Sequence, residues 1–198
     1  MSNSKETGFV REDQGHTSKI APFHATAATA PVERGGDSLH AIIEEINSGR
    51  CEQALVMLDA APASNETANL RGVCLLRLGR TTQATELFRA LVERLPDREK
   101  RPESFDVYYV NLATAVLMGG SVMACRFALS QCKNANHPTA ERLRTCMETW
   151  EKNLSWWQRF NWRLGAVEPT DGPIAVDFEP GEFAALQPDS NSVRMGRQ

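Results

Sequence analysis

The stretch Asn69-Leu70-Arg71-Gly72-Val73-Cys74-Leu75-Leu76-Arg77-Leu78-Gly79, followed by Ala84, Phe88 and Pro96, decides how the rest of the chain is read. Small and apolar residues recur at helical spacing on both sides of Gly79, so residues 66–98 are predicted to form two helices joined by a tight turn. The residue types have steric roles. Gly72 lets the first helix sit close to the second, Ala84 is the small residue facing that contact, Phe88 fills the space beside it, and Gly79 opens the turn. Such a hairpin cannot bury its own apolar face, so it must stack on similar units.

Similar units flank it. Upstream, Leu39, Ile42, Ile43 and Ile46 recur at helical spacing from a cap at Asp37 or Ser38. Gly49 ends that helix, and a second runs from Cys51 to Ala60 with Ala54 and Leu58 spaced like Ala84 and Phe88. Downstream, residues 97–104 read as a charged linker, after which Tyr109, Leu112, Ala113, Val116, Gly120, Cys125 and Leu129 repeat the register, with Gly119-Gly120 as the turn and Pro138 at the exit. Leu143, Met147, Trp150, Leu154, Trp157 and Leu164 then predict a capping helix within residues 139–164. A capping box at Ser155 and Gln158 would let it break and restart.

The ends read differently. Residues 1–37 lack periodicity and are expected to be a disordered arm, because too little apolar surface is present to offset ordering entropy. Residues 165–198 are expected to form an extended acidic tail, interrupted by Pro169, Pro173, Pro180 and Pro188, with strand-like character at 174–178.

The register resembles that of the tetratricopeptide repeat (TPR) family, whose helix–turn–helix units of about 34 residues carry small, large and turn residues at these positions. The resemblance covers about residues 38–138, and the first repeat departs from the pattern at Ala41, Ile42 and Glu45. It implies an all-α fold, a short α-solenoid of about three repeats with a C-terminal capping helix. It also implies a concave groove lined by the first helix of each repeat. The matching positions are Asn69, Val73, Leu76 and Arg77 in the middle repeat, and Val110, Thr114, Leu117 and Met118 in the third. In the first they are Leu39, Ile43, Ile46 and Asn47. These residues are mostly aliphatic, unlike the paired Lys and Asn with which some members grip a terminal carboxylate. They look more like the groove of small bacterial secretion chaperones of the family.

Composition narrows the function classes. At a formal net charge of -3 the chain lacks the basic field that general nucleic-acid or anionic-membrane binding needs. No stretch approaches the roughly 18 apolar residues of a membrane span, and the first residues lead into no apolar signal core, so a cytoplasmic location is expected. Cys51, Cys74, Cys125, Cys132 and Cys146 show no metal-finger spacing and read as reduced packing residues. His16, His24, His40 and His137 cannot be brought together from sequence, and no P-loop, GxSxG, HExxH or strand-linked GxGxxG occurs. No enzyme activity, cofactor or metal is therefore expected.

The segment from Leu154 to Leu164 carries Trp156, Trp157, Phe160 and Trp162 beside Arg159 and Arg163. Burial between the last repeat and the tail is one reading, a protein-partner surface at Trp156, Phe160 and Trp162 a second, and contact with lipid or single-stranded nucleic acid a third. The tail poses a related question. Ile174, Val176, Phe178 and Phe183 stand among acids, so the tail is expected either to dock on the repeats or to leave their groove to an outside protein or peptide. The expected function is a non-enzymatic interaction module, an adaptor or chaperone-like peptide binder. The alternative is a docking or regulatory subunit of an enzyme complex.

Overall fold

The computed structural model describes residues 35–165, 168, 169 and 172–184, so residues 1–34 of the arm expected at 1–37, and the tail beyond 184, lie outside the described residues, while 35–37 are helical and not part of an arm. The described chain is all-α. Eight helices follow in order: α1 (Gly35–Asn47), α2 (Cys51–Ala60), α3 (Asn65–Arg77), α4 (Thr81–Val92), α5 (Asp106–Met118), α6 (Val122–Ser130), α7 (Pro138–Asn153) and α8 (Trp156–Gly165). A single 3₁₀ turn at Glu103–Phe105 leads into α5. No strand occurs among the described residues, so 174–178 form no ladder and the chain bends at 177–178.

Local chemistry sets the boundaries. Gly49, Gly79 and Gly120 separate α1 from α2, α3 from α4 and α5 from α6, with φ of 77°, 71° and 94°. An added Cβ at Gly49 or Gly79 would meet nothing within 4 Å, so the dihedral alone selects glycine there. Ser64 caps α3, accepting from the Thr67 amide, while the Thr67 hydroxyl accepts from the Ser64 amide. Pro138 opens α7 as its first residue, where a missing N–H leaves no hydrogen bond unmade. The capping region is two helices rather than one. Leu154 turns extended, and Ser155 and Gln158 cap α8 reciprocally. At the N-terminal end, α1 begins at Gly35, ahead of the expected cap at Asp37 or Ser38.

Consecutive helices from α1 to α6 pack on one another. Odd-numbered helices also touch, α1 with α3, α3 with α5 and α5 with α7, so they form one continuous layer. α5 lies in the middle, with Asp106–Tyr108 and Val110–Leu117 all buried, which explains its near-uninterrupted apolar sequence.

Helices α3 and α4 approach closely at Gly72. A Cβ added at Gly72 would stand 2.3 Å from Cζ of Phe88, and Phe88 and Ala84 are fully buried. Ala54 and Leu58 of α2, and Cys125 and Leu129 of α6, are buried at the corresponding positions.

Residues 97–104 are more than a linker. Arg101 is buried, its guanidinium lies 4.1 Å from the Tyr109 ring centroid, and it donates to the Gln131 carbonyl. It also faces Asp106 at 4.0 Å, whose Oδ2 accepts from the amides of Lys133 (2.8 Å) and Asn134 (2.7 Å). Arg98 donates to the Cys132 carbonyl, so this charged segment ties α5 to the α6–α7 loop.

Replacing Gly72 with Ala is expected to lower stability by about 1–3 kcal/mol through overpacking, despite the roughly 1 kcal/mol gain in helix propensity. Phe88→Leu should also destabilise, but the double variant should lose less than the sum of the singles, since a smaller side chain makes room for the methyl. Denaturant unfolding of the four proteins measures this; additive losses would show that Gly72 and Phe88 do not share the contact.

Candidate functional site

Residues 168, 169 and 172–184 lie across the helices as a non-helical strap. Its first anchor is at α6. Glu168 Oε1 accepts from the amides of Val122 and Met123, and Oε2 accepts from the Ser121 hydroxyl. A carboxylate at the first-turn N–H groups is favoured by hydrogen bonding and by the helix dipole. Next, Gly172 passes the α5–α6 turn so closely that a Cβ on Gly120 would stand 2.7 Å from the Gly172 carbonyl oxygen.

The strap then crosses α7. Ile174, Val176 and Phe178 pack on the larger core, Arg142 lies 5.1 Å from the Phe178 ring centroid, and the Cys146 thiol faces Asp177 Oδ1 at 3.7 Å. The burial of these apolar side chains supplies sequence-tolerant attraction.

The most specific contacts come from two buried carboxamides. Asn69 on α3 and Asn111 on α5 are both fully buried. Asn111 Nδ2 donates to Asn69 Oδ1 and to the Glu182 carbonyl, both at 2.8 Å. Asn69 Nδ2 donates to the same carbonyl at 2.9 Å, and the Glu182 amide donates back to Asn111 Oδ1 at 2.8 Å. The backbone N–H and C=O of Glu182 are thereby held between two helices. The amide orientations are those that complete this network.

Charged and aromatic contacts surround the clamp. Arg77 donates from Nε to the Pro180 carbonyl (3.3 Å), pairs through Nη1 with Glu179 (2.7 Å), and lies 5.3 Å from the Phe183 ring centroid. Its Nη1 also donates to the Ile46 carbonyl at the end of α1, which fixes the guanidinium. The Glu182 side chain accepts from the Thr139 hydroxyl and stands 3.4 Å from His137 Nε2. Gly181 is buried against Val73, and Phe183 packs on the smaller core formed by α1, α2 and α3.

Of the positions expected to line a groove, Asn69, Val73 and Arg77 touch the strap. Leu76, Val110, Thr114 and Leu117 are fully buried, Thr114 donates to the Val110 carbonyl, and Met118 is half-buried against the core. The contact surface is therefore more polar and basic than the aliphatic groove expected from sequence. Asn111, Thr139, His137 and Arg142 were missed. Asn111 carried a signal, since a lone carboxamide inside the apolar run of α5 requires a hydrogen-bond partner.

The tryptophan segment also departs from expectation. Trp162 is buried, with its ring edge against Trp150 at 5.5 Å and the Arg126 guanidinium at 5.2 Å, and it is not a surface residue. Trp156 and Phe160 are exposed, as are Trp157 and Leu164. Arg159 caps the end of α7 by donating to the carbonyls of Glu151, Lys152 and Leu154, and Arg163 pairs with Glu151 at 2.9 Å. Both arginines are thus committed within the protein.

Burial pushes the thiols of Cys74 and Cys125 up to about 12 and that of Cys132 up to about 11. These thiols stay protonated near neutral pH and act as packing groups. Among the described residues no three His, Cys, Asp or Glu side chains converge as a metal site, and no helix is long and apolar enough to cross a membrane. The chain matches no protein-family model, no curated protein and no solved structure.

Asn111→Ala should leave the Glu182 amide and Asn69 Oδ1 without partners and the Glu182 carbonyl to Asn69 alone, destabilising the docked strap by about 1–3 kcal/mol per buried group left unpaired. Chymotrypsin cleavage at Phe178 and Phe183 should accelerate at least about tenfold, since a 1.4 kcal/mol change in opening is tenfold in the exposed population. Unchanged cleavage would show that the clamp does not hold the strap. In a separate test, Cys74, Cys125 and Cys132 should react with a thiol reagent at neutral pH only after denaturation; fast labelling of the native chain would contradict their burial.

Proposed function

We propose that the chain is a TPR-type α-solenoid that works as a non-enzymatic peptide-binding module, with its own residues 172–184 as the resident occupant of the concave face. The observation that carries this reading is the Asn69–Asn111 clamp on the Glu182 backbone. Side-chain amides that hold both the N–H and the C=O of one peptide unit recognise extended chain as such, which is what a peptide groove requires.

Three further features support it. The odd-numbered helices form the continuous layer on which the strap lies, as a stacked helix–turn–helix array would provide. Buried small residues recur at Gly72, Ala84 and Cys125, where repeats of that kind need them. The site residues are donors and apolar walls, suited to holding a chain and not to transforming one. In this reading the strap occupies the face until a competing protein segment displaces it, and the module acts as an adaptor or chaperone-like holder.

The test is a chain ending at Gly165, titrated with a fluorescent peptide of residues 168–184. Saturable one-to-one binding, lost when Asn69 and Asn111 are both changed to Ala, is the expected result. A folded truncated chain that fails to bind would rule out a groove able to take peptide from solution.

A further inference from the structure

The seat of residues 179–183 selects more than an extended backbone. Gly181 has φ of +88°, a conformation that side chains other than glycine rarely adopt. An added Cβ there would also lie 2.9 Å from both methyls of Val73 and 3.2 Å from its Cα. The Cα belongs to the body of α3, a helix packed on α2, α4 and α5, so the wall cannot retreat. Dihedral and space exclude a side chain independently.

The neighbours on either side are read by charge and by π contact. Two residues before the Glu182 clamp point lies Pro180, whose carbonyl Arg77 engages, and before it Glu179, paired with the same guanidinium. Glu182 is received by Thr139 and His137, and Phe183 lies under Arg77. Arg77 alone thus touches three positions of the occupant: a carboxylate, a carbonyl and an aromatic face. Its side chain is only 10% exposed, so these contacts are sheltered from solvent on one side.

Resting on the reading above as a peptide-binding module, we propose that the protein segment which exchanges with the strap is an extended acidic–x–glycine–acidic–aromatic element, of which Glu179-Pro180-Gly181-Glu182-Phe183 is the resident copy. Glycine at the third position is the selective requirement. The acids at the first and fourth positions confer attraction that weakens with salt, and the aromatic residue docks against Arg77 and the α1–α3 core. The strap, attached to the same chain, competes at high effective concentration, so a partner carrying only part of the element stays excluded.

The test uses the full chain with its strap weakened, in two versions. One carries Gly181→Ala; the other carries Glu182→Lys, which adds no backbone strain. Each is titrated with three labelled peptides spanning residues 177–184: native, Gly181→Ala, and Glu179→Gln with Glu182→Gln. Both chains should bind the native peptide saturably while the unaltered chain binds it much more weakly. The alanine peptide should bind at least about a hundredfold less tightly, and the neutralised peptide about tenfold less, with the native affinity falling as salt rises.

Equal binding of the native and alanine peptides would overturn the glycine requirement while leaving the module intact. Equal binding of the native and neutralised peptides would overturn the acidic requirement. If both chains stay folded and expose the strap to protease yet bind no peptide, the groove does not take chains from solution, and the functional reading falls with the inference. A strap that remains protease-resistant in the Gly181→Ala chain would refute the steric argument. Concentration-dependent dimerisation of the unaltered chain, with straps exchanged between copies, would assign the site to a second copy and overturn the proposal.

Discussion

Two carboxamides set the condition that the rest of the strap's seat must meet. Asn69 and Asn111 are fully buried on α3 and α5, and each donates to the Glu182 carbonyl. Neither helix can satisfy them, because its own backbone groups are already paired within the turns. A buried carboxamide without partners is strongly unfavourable, so the site demands an occupant that can accept and donate hydrogen bonds, which the Glu182 peptide unit of the strap does. The strap has the advantage of attachment.

Its hold is divided among forces with different selectivity. Ile174, Val176 and Phe178 contribute burial that many sequences could supply, whereas Glu168 on the α6 N-terminus and Gly181 against Val73 depend on residue identity. The Arg77–Glu179 pair adds little energy by itself, since Glu179 is 68% exposed and such pairs contribute about 0–1 kcal/mol. Its value lies in position. The same guanidinium is fixed by the Ile46 carbonyl and reaches both Pro180 and Phe183, so one side chain couples the end of α1 to three residues of the strap.

What could be read from sequence was whatever depends on neighbours close along the chain. Gly49, Gly79 and Gly120 announce their turns, the Ser155–Gln158 cap announces the break before α8, and the spacing of Gly72 and Phe88 announces a close helix pair. What could not be read depends on partners far away. Trp162 sits in a segment as aromatic as its exposed neighbours, and only the positions of Trp150 and Arg126 turn it inward. Arg101 looks like one more charge in a linker until the Gln131 carbonyl and the Tyr109 ring arrive to bury it. The groove positions counted from Gly72 include Asn69 and Arg77, but counting from Ala113 passes over Asn111. A hydrogen bond to a residue 71 positions away is invisible to any local pattern.

The docked strap is most directly tested by hydrogen exchange of the Glu182 backbone amide in the intact chain. That N–H donates to a buried oxygen, Asn111 Oδ1, in a segment with no secondary structure to protect it otherwise. A seated strap predicts exchange slowed by orders of magnitude relative to an unstructured peptide, with protection lost in Asn111→Ala. Exchange of the Glu182 amide at the free-peptide rate in the unaltered protein would contradict the account, because the clamp would then be empty in solution.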